Sequence, residues 1–198
     1  MLLALDASSL VHAKGLRDPE ATLTGIRLVH NLVAFGGRFV TTKGVYGELV
    51  GMSLRITLSE WEAGGHLDVQ NVKSLEARRF DNTIRKRVAR PGRIDRALVC
   101  LAHQLNAVVL THDNGLALYA RAAGLLTIDL VDLGVLSHAM TSLPLESLDT
   151  LFHAMNLPGA FRPGDWKGSF EATYLSRTHM DSLVGELRSR LMAGESAD

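Results

Sequence analysis

The stretch that decides the fold is PGRIDRALVCLAHQLNAVVLTHDNGLALYARAAGLLTIDL, residues 91–130. A break at Pro91 precedes a segment whose apolar residues recur at helical spacing. The aliphatic run 107–110 is typical of a strand that is buried on both faces. Turn residues and a second helix follow, Gly124 ends that helix, and 125–130 is another apolar strand. Helix, strand, helix and strand in so short a stretch predict a parallel α/β sheet.

The rest of the chain continues this alternation. The fold class that it predicts is a three-layer α/β/α domain with a central, mainly parallel sheet over residues 1–140, followed by a helical extension over residues 141–198. Predicted strands are 2–5, 38–42 and 67–72, the last with the period-two alternation of a short or edge strand. Predicted helices lie around Leu10, from Pro19 onwards, over 44–50, 58–63, 74–88 and 131–140, and over 145–157 and 170–192 in the extension. Leu75, Phe80 and Ile84 are the expected inner residues of the helix over 74–88.

Composition limits the classes of protein that fit. The chain has 198 residues and 46% hydrophobic residues, enough for one domain with a real core and an appendage. Its formal net charge is +0, so any binding of nucleic acid must depend on a local basic patch. The single cysteine, Cys100, excludes a disulfide within the chain and a zinc site built from cysteines. We expect a buried thiol.

The N-terminal residues argue against export. Residues 1–5 are apolar, but they lack a basic leader, and Asp6 interrupts them too early for a secretory signal. No apolar stretch approaches the roughly 20 residues that cross a bilayer. We therefore expect a cytoplasmic protein with no membrane segment.

Four carboxylates share one kind of position. Asp6, Glu48, Asp95 and Asp113 each lie at a strand end or near a helix start. If the strands are parallel, these side chains converge on one edge of the sheet and repel one another. Such crowding raises carboxylate pKa values unless a cation neutralises it, and oxygen ligands suit Mg²⁺ or Mn²⁺. An ion of this kind clamps a phosphodiester and activates a water for in-line attack.

Each of these acids also has an ordinary structural interpretation. Asp6 is placed to cap the helix that follows it. Asp95 is a favourable negative charge in a first helical turn, Asp113 is a common turn residue, and Glu48 suits a solvated helix face. Spacing alone leaves the joint metal site and these separate roles open.

Two hydroxyl residues flank two of the acids. Ser8 follows Asp6 closely, and Thr111 precedes Asp113 closely. As supporting residues they would hold a metal-bound water or fix the rotamer of a carboxylate.

Basic residues crowd into the segment that leads to Asp95. Contacts from such residues to phosphates position a nucleic acid without reading its sequence. The alternative is a solvated helix face, and Arg96 is placed to pair with a carboxylate of the site instead. The predicted nucleic-acid contacts are Arg85, Lys86, Arg87, Arg90 and Arg93.

Four short motifs resemble the PIN (PilT N-terminus) domain family, which includes the toxin ribonucleases of VapBC-type toxin–antitoxin pairs. The family pattern is an opening strand that ends in Asp-x-Ser or Asp-x-Asn, a helical Glu, an Asp that heads a D-x-x-L helix, and T-x-D after a strand. Here the matching segments are LALDAS at 3–8, VYGELV at 45–50, RIDRAL at 93–98 and LTHD at 110–113. The resemblance covers residues 1–140.

The resemblance implies a catalytic site and a biological role. Asp6 and Asp95 would be the firmest Mg²⁺ ligands, Asp113 would complete the site, and Glu48 would bind a second metal or orient the nucleophilic water. The implied activity is metal-dependent hydrolysis of RNA phosphodiester bonds. The implied partner is a protein antitoxin.

The chain departs from the family pattern in two places. Many relatives carry a further acid just after the T-x-D aspartate, whereas residues 114–116 here are Asn-Gly-Leu. Alternatives are therefore a catalytically silent PIN-like module that binds RNA or protein, and a DNA-directed nuclease of related fold. The second departure is the extension 141–198, which continues past the usual end of the family's domain. It either packs on the domain or joins two subunits, and we expect a homodimer.

Overall fold

The structure is a computed structural model, and it describes residues 2–14, 37–51, 55–84, 91–129 and 132. The predicted helices from Pro19 onwards, over 131–140 and in the extension lie outside the described residues, apart from the helical Asp132. Residues 2–11 and 37–129 form one compact unit. The second unit, residues 12–36 and 130–198 with Met1, lies almost wholly outside the described residues, as does the predicted domain boundary at residue 140.

The centre of the described unit is a five-stranded sheet in the order β3-β2-β1-β4-β5, in which every neighbouring pair is parallel. The first strand of the chain is the middle strand, where Ala4 pairs with Val40 on one side and Val109 on the other. The parallel sheet and the edge position of the third strand are confirmed. The strands are β1 Leu2–Leu5, β2 Arg38–Thr42, β3 Leu67–Gln70, β4 Val108–Leu110 and β5 Thr127–Ile128.

Helices connect these strands and flank the sheet, so the predicted three-layer α/β/α class is confirmed for the described unit. One long amphipathic helix contacts β1, β2 and β4, and so it covers the centre of the sheet. The described helices are α1 Ala7–Lys14, α2 Lys43–Gly51, α3 Arg55–Ala63, α4 Ser74–Thr83, α5 Arg93–Gln104, which is the long central helix, and α6 Asn114–Ala122.

The central strands form the core. Leu3, Leu5 and Leu110 are completely buried, as the aliphatic runs predict for strands covered on both faces. Near the β3 edge, Phe39 stacks on Trp61 with ring centroids 5.3 Å apart. Burial of each such side chain contributes about 1.5–3 kcal/mol. The ends of β1, β2 and β4 are therefore fixed relative to one another.

The prediction for α4 is wrong at its end and on its inner face. The helix was expected over 74–88, but it ends at Thr83 because Ile84 is extended, with φ −77° and ψ 128°. Leu75, expected inside, is 59% exposed. The buried positions are Ala77 and Asp81, one turn apart, and Leu75 lies on the opposite side of the helix from them.

The turn predicted after β4 is shorter than expected. Asn114 and Gly115 were assigned to turn structure, but they open α6. The reason is that Asp113 caps this helix, so the helix begins at once. Gly124 ends it with φ +80°, a backbone conformation that glycine adopts without a steric penalty.

Cys100 is buried and free, as predicted. Among the described helices, none is both long and apolar enough to span a bilayer.

Candidate acidic site at the carboxyl edge of the sheet

Asp6 follows β1 directly and is 5% exposed. Its Oδ2 accepts hydrogen bonds from Thr111 Oγ1 at 2.7 Å, from Ser8 Oγ, and from the Ser8 backbone N–H at 3.3 Å. Hydrogen bonds to an ionised carboxylate are strong, so they fix the rotamer of Asp6. Orientation of a carboxylate was one of the two roles predicted for these hydroxyls.

The two hydroxyls also tie the start of α1 to the loop after β4. Ser8 Oγ lies 3.2 Å from Thr111 Oγ1. The His112 backbone N–H donates to Ser8 Oγ at 2.9 Å, and the Asp113 backbone N–H donates to Thr111 Oγ1 at 3.1 Å. The position of Asp113 is therefore set by the same network that holds Asp6.

Asp95 and Asp113 both bind helix N-termini. Asp113 Oδ1 accepts the Leu116 N–H at 2.9 Å as the N-cap of α6. Asp95 Oδ2 accepts the N–H of Gly92, the N-cap residue of α5, at 3.1 Å. The capping roles that the sequence left open are thus present in the structure.

Capping does not use up these carboxylates. The hydrogen bonds occupy Oδ2 of Asp6, Oδ2 of Asp95 and Oδ1 of Asp113. Within residues 2–14, 37–51, 55–84 and 91–129, no hydrogen bond reaches the opposite oxygen of any of the three. One oxygen of each carboxylate can therefore serve a further ligand.

Two glycines leave room for the caps, a role that the sequence argument did not assign to them. A Cβ at Gly92 would lie 3.2 Å from Asp95 Oδ2, and a Cβ at Gly115 would lie 3.1 Å from Asp113 Oδ1. Both contacts are tighter than side chains normally make. A glycine close in sequence to a capping aspartate is the signal that would have identified them.

Electrostatics shows that the predicted acids lie within reach of one another. Burial, then the charge of Asp6, and then that of Asp113 raise the pKa of Asp95, while the hydrogen bond from Gly92 lowers it. Desolvation, followed by the charges of Asp95 and Asp6, raises the pKa of Glu48, which lies on the exposed side of α2. Asp6 and Asp113 thus lie close enough to Asp95, and Asp95 and Asp6 close enough to Glu48, for their charges to act on it.

The donor set restricts the kind of metal site that fits here. In the described ranges, no group of three or more His, Cys, Asp or Glu side chains is arranged to hold one ion. A closed, four-ligand zinc site therefore does not fit. Mg²⁺ keeps several of its waters and takes one or two carboxylates together with substrate phosphate oxygens. Carboxylates that repel one another and retain free oxygens fit such a loosely held ion.

The predicted basic contacts are only partly described. Arg93 is the first residue of α5, and its Nη2 donates to Ser74 Oγ. Arg85, Lys86, Arg87 and Arg90 lie outside the described residues.

The proposed pairing of Arg96 with an acid of the site is wrong. Its Nη1 lies 3.2 Å from Oδ2 of Asp81, which is 4% exposed, and the Tyr119 hydroxyl donates to Asp81 Oδ1 at 2.8 Å. Arg96 on α5 reaches Asp81 because α4, which carries Asp81, packs against α5. Arg96 therefore neutralises Asp81.

A cavity of about 590 Å³ lies between the ends of β2 and β3, the start of α4 and the start of α5. It shares α5 with Asp95. Sequence reasoning missed its polar residues Thr42, Asn71 and Ser74, although each stands just after a strand or at a helix start. Ligands bind at such positions in open parallel sheets, so position was the available signal.

No family model and no curated protein matches the chain. Among solved structures, a PilT N-terminus domain protein from the hyperthermophilic archaeon Sulfolobus solfataricus P2 is similar at 14% sequence identity and a TM-score of 0.43. The match covers 67% of this chain and 90% of that one.

Proposed function

We propose that this protein is a metal-dependent endoribonuclease that hydrolyses RNA phosphodiester bonds with Mg²⁺ or Mn²⁺. The observation that carries the proposal is the electrostatic coupling of four acids, in which Asp6 and Asp113 act on Asp95, and Asp95 and Asp6 act on Glu48. Among the described residues, no basic side chain forms an ion pair with any of the four. A cluster of carboxylates without an internal counter-charge favours an external cation.

The carboxylates would hold the ion through the oxygens that capping leaves free. Asp6 and Asp95 are the proposed direct ligands, Asp113 would complete the site through a bound water, and Glu48 is the fourth acid. A bound ion supplies charge neutralisation for the phosphodiester and lowers the pKa of an attacking water. Asp6 is oriented for this role by Ser8 and Thr111, and so it presents a fixed oxygen.

Glu48 differs from the other three because it is exposed and the described residues make no hydrogen bond to its carboxylate. Its raised pKa moves it towards the working pH, which suits a group that accepts a proton from water. We assign it to the attacking water, either directly or as a ligand of a second ion.

The motifs at 3–8, 45–50, 93–98 and 110–113 extend the proposal to the biological role. They support RNA as the substrate. They also support a biological role for the protein as the cytoplasmic toxin of a type II toxin–antitoxin pair. The proposed partners are a protein antitoxin and a second copy of the chain.

The test is cleavage of matched RNA and DNA oligonucleotides by the full-length protein with Mg²⁺, Mn²⁺ or EDTA. Asp6→Asn and Asp95→Asn should each lower the rate by about a hundredfold or more, since each removes a preorganised charge. Asp68→Asn is the matched control, because Asp68 is exposed on the edge strand β3. Circular dichroism checks the fold of each variant. Full activity in both site variants would refute the proposal. Cleavage of DNA but not of RNA would mean that the protein is a DNA-directed nuclease.

A silent module that binds RNA or protein is the second candidate. The observation in its favour is that Asp95 and Asp113 already serve as helix caps. Residues 114–116 also add no acid. RNA binding without cleavage, in any divalent ion, would support this candidate.

A further inference from the structure

We propose that the cavity beside α5 receives one unpaired nucleotide of the RNA strand, with the phosphate on its basic rim and the base on its apolar floor. The inference rests on the proposed function and assigns a place on the protein to one nucleotide of the substrate. The volume of about 590 Å³ lies within the range of about 300–1,000 Å³ that small-molecule sites occupy.

The rim of the cavity has an excess of positive charge. Lys43, Arg78 and Arg93 line it and are exposed, and no acid stands among its described lining residues. The fourth cation, Arg96, is already neutralised by Asp81. Because three cations keep their charge, the rim attracts an anion, and guanidinium groups suit phosphate oxygens in particular.

Arg93 is held in place for this role. Its Nη2 donates to Ser74 Oγ, which joins the first residue of α5 to the first residue of α4 across the cavity. A guanidinium that is anchored on one side loses less side-chain entropy when it binds a phosphate with its other donors.

The floor suits a base. Val72, Ala77, Ile94 and Ala97 supply apolar surface, and Asn71 adds an amide that can both donate and accept. A base that is stacked and paired in a duplex cannot enter such a cavity, whereas the bases of single-stranded RNA can be splayed out. The cavity therefore selects for unpaired RNA.

The position of the cavity connects it with the acidic site. Ile94 and Arg96, which line it, are the neighbours of Asp95 in the first turn of α5. At 100° per residue, the lining residues 93, 94, 96 and 97 lie on the side of α5 opposite to Asp95. The cavity and the acids therefore lie on two sides of the same helix end, and an RNA strand would pass over that end to reach both.

The experiment is calorimetric titration of the full-length protein in EDTA, which excludes both cleavage and binding through a metal. The probes are the four ribonucleoside 5′-monophosphates, the corresponding uncharged nucleosides, and inorganic phosphate. We expect at least one monophosphate to bind at least tenfold more tightly than its nucleoside and than phosphate. Equal affinity for phosphate and every monophosphate overturns the inference, and so does an absence of monophosphate binding.

Two variants and one control locate the binding. Arg78→Gln removes a rim charge, and Ala97→Leu fills the floor without a change of charge; each should weaken monophosphate binding at least tenfold. Arg79→Gln is the control, because Arg79 is the next residue of α4, is exposed and does not line the cavity. Equal affinity in Arg78→Gln, Ala97→Leu and the wild type overturns the inference.

Asp6→Asn separates this inference from the proposed function. The variant should bind the monophosphate as the wild type does, while it loses cleavage. Binding in a wild type that cleaves nothing would refute the nuclease and leave the cavity assignment standing. Cleavage by the wild type without monophosphate binding would refute the cavity assignment alone.

Discussion

Asp95 and Asp81 lie on the packed helices α5 and α4, yet their electrostatic surroundings are opposite. Asp81 is buried, and it receives Arg96 at 3.2 Å and the Tyr119 hydroxyl at 2.8 Å. Asp95 receives only the Gly92 N–H from the described residues, and burial followed by the charges of Asp6 and Asp113 raises its pKa. A carboxylate that the protein neutralises itself serves the fold. One that is surrounded by other acids keeps its capacity for an external cation.

The two environments arise from consecutive residues of one helix. Residues 95 and 96 project about 100° apart around α5. Asp95 therefore meets the carboxyl edge of the sheet, while Arg96 turns to α4. This difference lets a buried ion pair and a repelling cluster of acids exist side by side.

The largest expected difference between Asp95 and Asp81 concerns the stabilisation of the folded protein by a divalent ion. At a concentration of Mn²⁺ about a hundred times its Kd, the free energy of unfolding should rise by about 2.7 kcal/mol. Asp6→Asn and Asp95→Asn should lose most of this gain, and Asp81→Asn should keep it. Urea unfolding with and without Mn²⁺ measures the gain. An equal gain in Asp95→Asn and wild type would break the comparison.

A second test neutralises each carboxylate in EDTA. Asp81→Asn should lower the free energy of unfolding by about 2 kcal/mol, because it weakens charge-assisted hydrogen bonds to a buried group. Asp95→Asn should raise stability, since Asn can still accept from Gly92 and the repulsion from Asp6 disappears. Denaturant unfolding gives both values. The same sign in both variants would contradict the distinction drawn between the two regions.

The smallest effect is a dependence on pH. The pKa of Asp95 is raised above its unfolded value of about 4, so between the two values the folded protein binds more protons than the unfolded chain. The contribution of Asp95 to stability is therefore less favourable as the pH rises through this window. It is small because Asp95 is only partly buried and solvent screens its charge.

The measurement is the unfolding free energy of wild type minus that of Asp95→Asn, in EDTA, from pH 4 to 7. The difference should become less favourable to the wild type as the pH rises, because Asn does not titrate. A difference that is constant with pH would mean that neither burial nor the neighbouring acids raise the pKa of Asp95.

Local patterns in the sequence were sufficient for most of the secondary structure. The aliphatic run at 107–110 predicted β4, and the Pro-Gly break and helical spacing predicted α5, because burial and helical periodicity are recorded in neighbouring residues. The end of α4 was missed, since Ile84 continues the apolar pattern while its backbone is extended. Strand ends also indicated Asp6 and Asp113, because parallel strands share one carboxyl edge, whereas Asp95 and Glu48 lie on helices.

The sequence by itself determined which carboxylates stand at strand ends and helix starts. Only the tertiary structure decided their partners. Thr111 reaches Asp6 because β4 pairs with β1, and Arg96 reaches Asp81 because α4 packs on α5. Hydrogen bonds and ion pairs act over a few ångströms, so they depend on which distant segments pack together, and that choice is made by the sheet order and the helix packing.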